Sequence, residues 1–204
     1  PMLKKLHAKL GRFSPAFRDL GHLDEYRAGF REKNWADRAY LNQIGCLVSI
    51  VIVTLGIPLD YIVYPDHFAQ FTALRLFEVG FLALMFGLTT LPSMRPHLFR
   101  ITAIFTGSVI ATVCVIIYVT EGAVSPYYAG INLVMIGIGF IMGLTFREAV
   151  FYTTFSVMAY LFVSVLAGIP DDAWRIVINN GYFIFLTGVI AILAAYFSYR
   201  VRFY

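Results

Sequence analysis

Six long apolar stretches joined by very short loops make up most of this chain after its first forty or so residues. Each is close to the ~20 residues that an α-helix needs to cross the hydrocarbon core of a bilayer. Lipid offers the backbone no hydrogen-bond partners, so such stretches must satisfy their own N–H and C=O groups, and helices do so. The expected fold is therefore all-α: a polytopic membrane protein, a six-transmembrane-helix bundle preceded by a short cytoplasmic helical segment. Charged residues are 14% of the chain, against about 25% in ordinary soluble domains. Loops this short leave no room for a soluble domain beyond the N-terminal segment.

Residues 1–39 read as a cytoplasmic or interfacial amphipathic segment. Lys4, Lys5, Lys9 and Arg12 interleave with Leu3, Leu6, Leu10 and Phe13, the pattern of a basic helix lying on headgroups. A second polar helix is expected from Asp24 to Ala39, running into the first span. Residues 40–199 form the six-span domain, with spans at about Tyr40–Tyr64, Phe68–Leu91, Phe99–Thr120, Tyr128–Phe146, Ala149–Gly168 and Ile176–Tyr199. Residues 200–204 begin an exit helix, and a soluble effector domain is expected to follow it. Nine of the 16 Lys and Arg precede Tyr40, and Arg95, Arg100, Arg147, Arg200 and Arg202 fall in alternate loops or at the end. The positive-inside rule then puts both termini in the cytoplasm and the chain in the cytoplasmic (inner) membrane. Anionic headgroups are the natural partner of the basic N-terminal segment, so nucleic acid is not expected.

Ionisable groups inside spans are expensive and are candidate functional sites. Asp60, Arg75 and Glu78 stand out. Arg75 and Glu78 are three apart on one helix and share a face, so Arg75 is expected to sit between two carboxylates. The group is either a buried ion network locking two helices together or the polar anchor of a ligand pocket; a proton or ion path is a third reading. Tyr61, Tyr64, Asp66, His67, Glu121, Ser125, Tyr127, Tyr128, Asn132, Asn179, Asn180 and Tyr182 gather at the same outer depth. The inner halves look nearly free of such groups. That asymmetry suggests a polar outer-half cavity, with Tyr128, Asn132 and Asn179 as candidate lining. Belt tyrosines and interhelical asparagines are the plainer readings of the same residues.

Other chemistry finds little support. There is no nucleophile elbow, zinc-protease helix or phosphate loop, and no histidine is placed to hold haem. Cys46 and Cys114 fall inside spans, where neither a disulfide framework nor a metal site is expected. No metal or cofactor is expected in this segment. Gly137, Gly139 and Gly143 contain one G-x-x-x-G pair, suited to close helix packing within one bundle or between two protomers. Pro58 is a candidate break near the end of the first span. No inverted repeat is visible, which weakens a transporter reading.

The run Leu59-Asp60-Tyr61-Ile62-Val63-Tyr64-Pro65-Asp66-His67-Phe68, with Leu74-Arg75-Leu76 after it, resembles the first hairpin of the six-span N-terminal domains of bacterial class III adenylate/guanylate cyclases. Gly181-Tyr182-Phe183 through Tyr196, then Arg200-x-Arg202-Phe203, resembles the exit helix of those domains. Similar inputs occur on histidine kinases and diguanylate cyclases. The resemblance covers roughly residues 25–204. It implies a homodimeric receptor whose exit helices drive a cyclase, with Mg and a nucleoside triphosphate belonging to that effector domain and no catalytic residue in this segment. The ligand would be apolar or amphipathic, anchored by Asp60, Arg75 and Glu78. A small transporter or channel, and a passive dimeric anchor, are the competing readings.

Overall fold

The computed structural model describes residues 22–142, 144–169 and 173–203, with side chains over 35–198 of these. The chain divides into two units, 1–37 and 38–204, and every side-chain contact discussed below lies in the second. The basic amphipathic helix expected near the start falls outside the described residues.

Every regular element among the described residues is helical: α1 His22–Val63, α2 Phe68–Thr90, α3 Leu98–Val119, α4 Tyr128–Phe140, α5 Phe146–Leu166 and α6 Trp174–Phe203. Short 3₁₀ turns at Pro65–His67, Pro92–His97 and Gly122–Val124 join the first four. Proline opens two of these turns, where its fixed φ and missing N–H cost nothing. Pro58 does not break α1, which continues to Val63. So near the helix end, the ring removes one ladder hydrogen bond and the remaining turn holds.

Five helices are long and apolar enough to cross a membrane. The fourth expected span is different, because α4 has only 13 residues, or ~20 Å of helix against a ~30 Å core. Glycines 137, 139 and 143 weaken helix propagation there, and the helix stops at Phe140. The segment nonetheless covers a full height of the bundle. At its start, Tyr127 reaches Asp60 on α1. At its end, Glu148 pairs with Arg38 on the same helix. Those α1 positions are ~33 Å apart along a helix. Thr145 and Glu148 form a capping box that starts α5 cleanly.

The apolar positions recur at helical spacing and set the seams. On α2, the buried stripe is Phe71, Arg75, Glu78, Leu82, Met85 and Thr89, a 4-3-4-3-4 pattern that puts both charged groups on the interior face. On α6, Val177, Asn180, Ile184, Ala191 and Ala195 are buried in the same rhythm. Gly139 brings α4 against α6: a Cβ there would lie 2.7 Å from both the Cα and the carbonyl oxygen of Ala191. Within one chain, then, Gly139 is the close-packing residue. Large side chains such as Ile62, Phe77, Phe162 and Val165 cover the perimeter, each 70% exposed or more, a surface suited to lipid.

Polar contacts also occur at the opposite end of the bundle from Asp60. Thr102 donates to Asn42 Oδ1 at 3.0 Å, Gln43 donates to the Thr89 carbonyl, and Arg38 pairs with Glu148. These contacts hold α1 at residues 38–43 to its neighbours.

Candidate functional site

The end of the bundle at the Pro65–His67 turn holds a buried ion pair. Asp60 on α1 is fully buried and Arg75 on α2 nearly so. Arg75 donates through Nε to Oδ2 at 2.6 Å and through Nη2 to Oδ1 at 2.8 Å, the two-pronged geometry that fits a guanidinium to a carboxylate. Tyr127 donates its hydroxyl to Oδ1 at 2.5 Å. Asp60 Oδ1 can only accept, so the Tyr127 hydroxyl is the donor in this contact. Its ring also lies 5.9 Å from the guanidinium carbon. Tyr64 stacks on Tyr127 at 5.8 Å and Phe71 meets it edge-on at 6.3 Å, roofing the pair with aromatic rings.

Two glycines permit this arrangement. A Cβ on Gly56 would fall 2.2 Å from Arg75 Nη1, so only glycine lets the guanidinium lie against α1. Gly122 adopts φ +58, and a Cβ there would meet Ala167. It makes the tight turn that presents Tyr127, a left-handed conformation that glycine accepts without strain.

Glu78 does not join Arg75. It turns to α3, where Ser108 lies 2.8 Å from Oε1 and Thr112 3.1 Å from Oε2. The expected arrangement of one arginine between two carboxylates is therefore corrected to two separate clusters. Both prongs of the guanidinium are already committed to Asp60, and α3 offers hydroxyls that Glu78 can reach.

Beneath the ion pair lies a cavity of about 380 Å³, a volume typical of small-molecule sites. Its walls are α1 from Gly45 to Leu59, α3 at Phe105, Thr106, Val109 and Val113, and the segment from Pro126 to Met142. Along α1 this is ~21 Å of helix, so the space is an elongated slot. Arg75 is its single charged lining residue among the described residues, and most of the remaining wall is aliphatic. The cavity is thus a greasy slot with one polar end. Ile52, Leu55 and Leu59 on α1 and Leu133 on α4 line it and are also 41–65% exposed. The slot therefore opens sideways onto the apolar perimeter.

Tyr128, Asn132 and Asn179, expected as lining, do not border this cavity. Tyr128 is half-buried against the outer core, Asn132 keeps a buried Oδ1 with no hydrogen-bond partner, and Asn179 is exposed. Their neighbours Tyr127 and Asn180 carry the structural roles instead. Asn180 donates to the Ala123 carbonyl at 3.3 Å, as Tyr160 does at 3.2 Å. One residue is ~100° of helix rotation, enough to turn a side chain from seam to lipid. The 4-3-4 rhythm of α6 selects Asn180 over Asn179. The α1 stripe Asn42, Cys46, Ser49, Val53, Gly56, Asp60 likewise marks Asn42, a buried hydrogen-bonding residue whose only signal in the sequence is this phase. Among the described residues no cluster of His, Cys, Asp and Glu is arranged to hold a metal.

Residues 58–204 match the MASE8 family, a family of membrane-associated sensor domains. The chain belongs to the MASE8 family. The matched span holds Asp60, Arg75, Glu78, Tyr127 and the α3 and α4 walls of the slot. It excludes the α1 wall from Gly45 to Gly56, including the glycine against which Arg75 lies. No curated protein and no solved structure matches the chain. As a MASE8 member the chain is a membrane sensor input domain, and its sensing chemistry has to be read from the slot itself.

Proposed function

We propose that this domain senses a single-chain apolar or amphipathic molecule that enters sideways from the bilayer, lies in the slot and sets its polar end at Arg75. The elongated apolar cavity with one polar end carries this reading. The Arg75–Asp60 pair is neutral overall, yet Nη1 takes no part in it. A guanidinium has five N–H donors, so the ligand's end is an uncharged oxygen acceptor rather than an anion. An aqueous transport path needs polar lining from face to face, and this wall is aliphatic over most of its length.

The chain crosses the inner membrane six times, with both ends inside. The alternating positive charges support this, as does the reach of the α4 segment from Asp60 to Arg38. Output passes through α6, whose 30 residues make ~45 Å of helix, more than the ~30 Å core requires. The resemblance to class III cyclases supports a homodimer controlling a cytoplasmic nucleotidyl cyclase; a histidine kinase or diguanylate cyclase is the alternative effector. A ligand shifts the signalling equilibrium only by binding its two states unequally, and the slot bordering α1, α3 and α4 gives it that leverage.

Gly137 provides the test. It lines the slot, and a Cβ there meets nothing within 4 Å, so Gly137→Phe fills the cavity without straining the backbone. Native mass spectrometry of protein released from lipid nanodiscs should show a long-chain alcohol retained by the wild type and lost in Gly137→Phe. Equal retention by both proteins, or ion flux through wild-type liposomes, would overturn the proposal.

A further inference from the structure

Glu78 stands at the middle of α2, ten residues from Phe68 and twelve from Thr90. It is 2% exposed and pairs with no cation among the described residues. An ionised carboxylate in that place would be among the most costly groups a membrane protein can hold.

The hydrogens around it can be counted. Ser108 Oγ lies 2.8 Å from Glu78 Oε1 and 2.8 Å from the Phe105 carbonyl oxygen. Both partners are acceptors when Glu78 is ionised, and a serine hydroxyl has one hydrogen to give. Two short contacts therefore share one hydrogen, and one buried oxygen pair is left facing without any. A proton on Glu78 resolves the count. The carboxylic acid donates from Oε1 to Ser108 Oγ, Ser108 donates to the Phe105 carbonyl, and Thr112 donates to Oε2 at 3.1 Å. Three contacts then have three hydrogens, and every oxygen is satisfied.

The groups packed around Glu78 supply no competing charge. On its own helix, Arg75 is bound to Asp60 of α1. The facing helix α3 presents the Ser108 and Thr112 hydroxyls. From α1, the only other titratable group on the buried stripe among the described residues is Cys46. Arg95 and His97 belong to the turn beyond Thr90, ~18 Å or more inward by helix rise.

We infer that Glu78 is a proton-binding site inside the membrane: a neutral carboxylic acid at rest, whose proton closes the α2–α3 seam behind the slot. Loss of the proton opens either the Ser108–Glu78 or the Ser108–Phe105 contact, on the same helix that carries Val109 and Val113 into the cavity wall. This inference does not depend on what occupies the slot.

Infrared spectroscopy of the full chain in lipid membranes at neutral pH tests it. A protonated-carboxyl C=O band is expected, shifted when the glutamates carry an isotope-labelled side-chain carboxyl, unmoved by labelled aspartate, and absent in Glu78→Gln. Glutamine keeps both a donor for Ser108 and an acceptor for Thr112, so that variant should fold. The glutamate-labelling arm reads the wild type alone and holds even if it does not. Labelled glutamate that moves only ionised-carboxylate bands, or a protonated band that survives in Glu78→Gln, would overturn the assignment.

Discussion

Gly56 on α1 and Arg75 on α2 are packed so closely that a single methyl group on the glycine would sit 2.2 Å from the arginine's Nη1. The ion pair beneath the aromatic roof therefore depends on a residue with no side chain. Replacing Gly56 with Ala should push the guanidinium off its two-pronged contact and destabilise the domain by about 1–3 kcal/mol, the usual cost of overpacking. Gly80→Ala is the control. A Cβ at Gly80 meets nothing within 4 Å, so this change should be neutral or stabilising by up to about 1 kcal/mol through helix propensity. Thermal unfolding of both variants in the same detergent distinguishes them.

Removing one partner of a buried ion pair leaves a charge with no partner. Arg75→Leu or Asp60→Leu alone should each cost about 3–5 kcal/mol, whereas the double variant should recover much of that loss. The same double variant separates architecture from recognition. If the Arg75 end of the slot anchors the ligand, the refolded double variant retains its fold but binds the long-chain alcohol weakly. Unchanged binding would assign the pair a purely structural role.

Two adjacent tyrosines should behave differently. Tyr127 donates to a buried carboxylate, and a hydrogen bond to a charged group contributes about 1.5–3 kcal/mol. Tyr127→Phe should lose that amount in chemical unfolding. Tyr128→Phe should change stability by less than about 0.5 kcal/mol.

Gly139 and Gly137 form a similar contrast on α4. Gly139→Leu drives a side chain into the Ala191 backbone and should separate α4 from α6, leaving little folded protein by size-exclusion chromatography. Gly137→Leu enters open space and should fold like the wild type.

The sequence was legible where lipid leaves one solution. Apolar length located all the long helices, and the intramembrane charges singled out Asp60, Arg75 and Glu78, all of which are buried. Pairing was less legible. Arg75 and Glu78 share a stripe, but which group each one meets depends on how α1 and α3 are rotated, and that rotation is set by contacts such as Gly56 against Arg75. Tyr127 and Asn180 make the interior hydrogen bonds that their neighbours Tyr128 and Asn179 do not, for a related reason: polarity marks depth, whereas facing requires phase, and phase comes from the 4-3-4 rhythm. The slot itself was hidden. It is built from small and aliphatic residues that read as ordinary span filler, and a void leaves no mark on composition. The shortness of α4 was partly visible in its glycines, since three within seven residues do not favour an unbroken helix.

Sensing by this domain requires the slot to hold an alkyl chain beneath Arg75. The most direct measurement is photo-cross-linking in nanodiscs with a long-chain alcohol that carries a photoreactive group near the far end of its chain, followed by peptide mapping. Adducts should fall at the inner end of the slot, around Gly45, Thr106 and Met142, and should disappear in Gly137→Phe. Adducts confined to perimeter residues such as Phe77 and Phe162, at equal yield in both proteins, would contradict it.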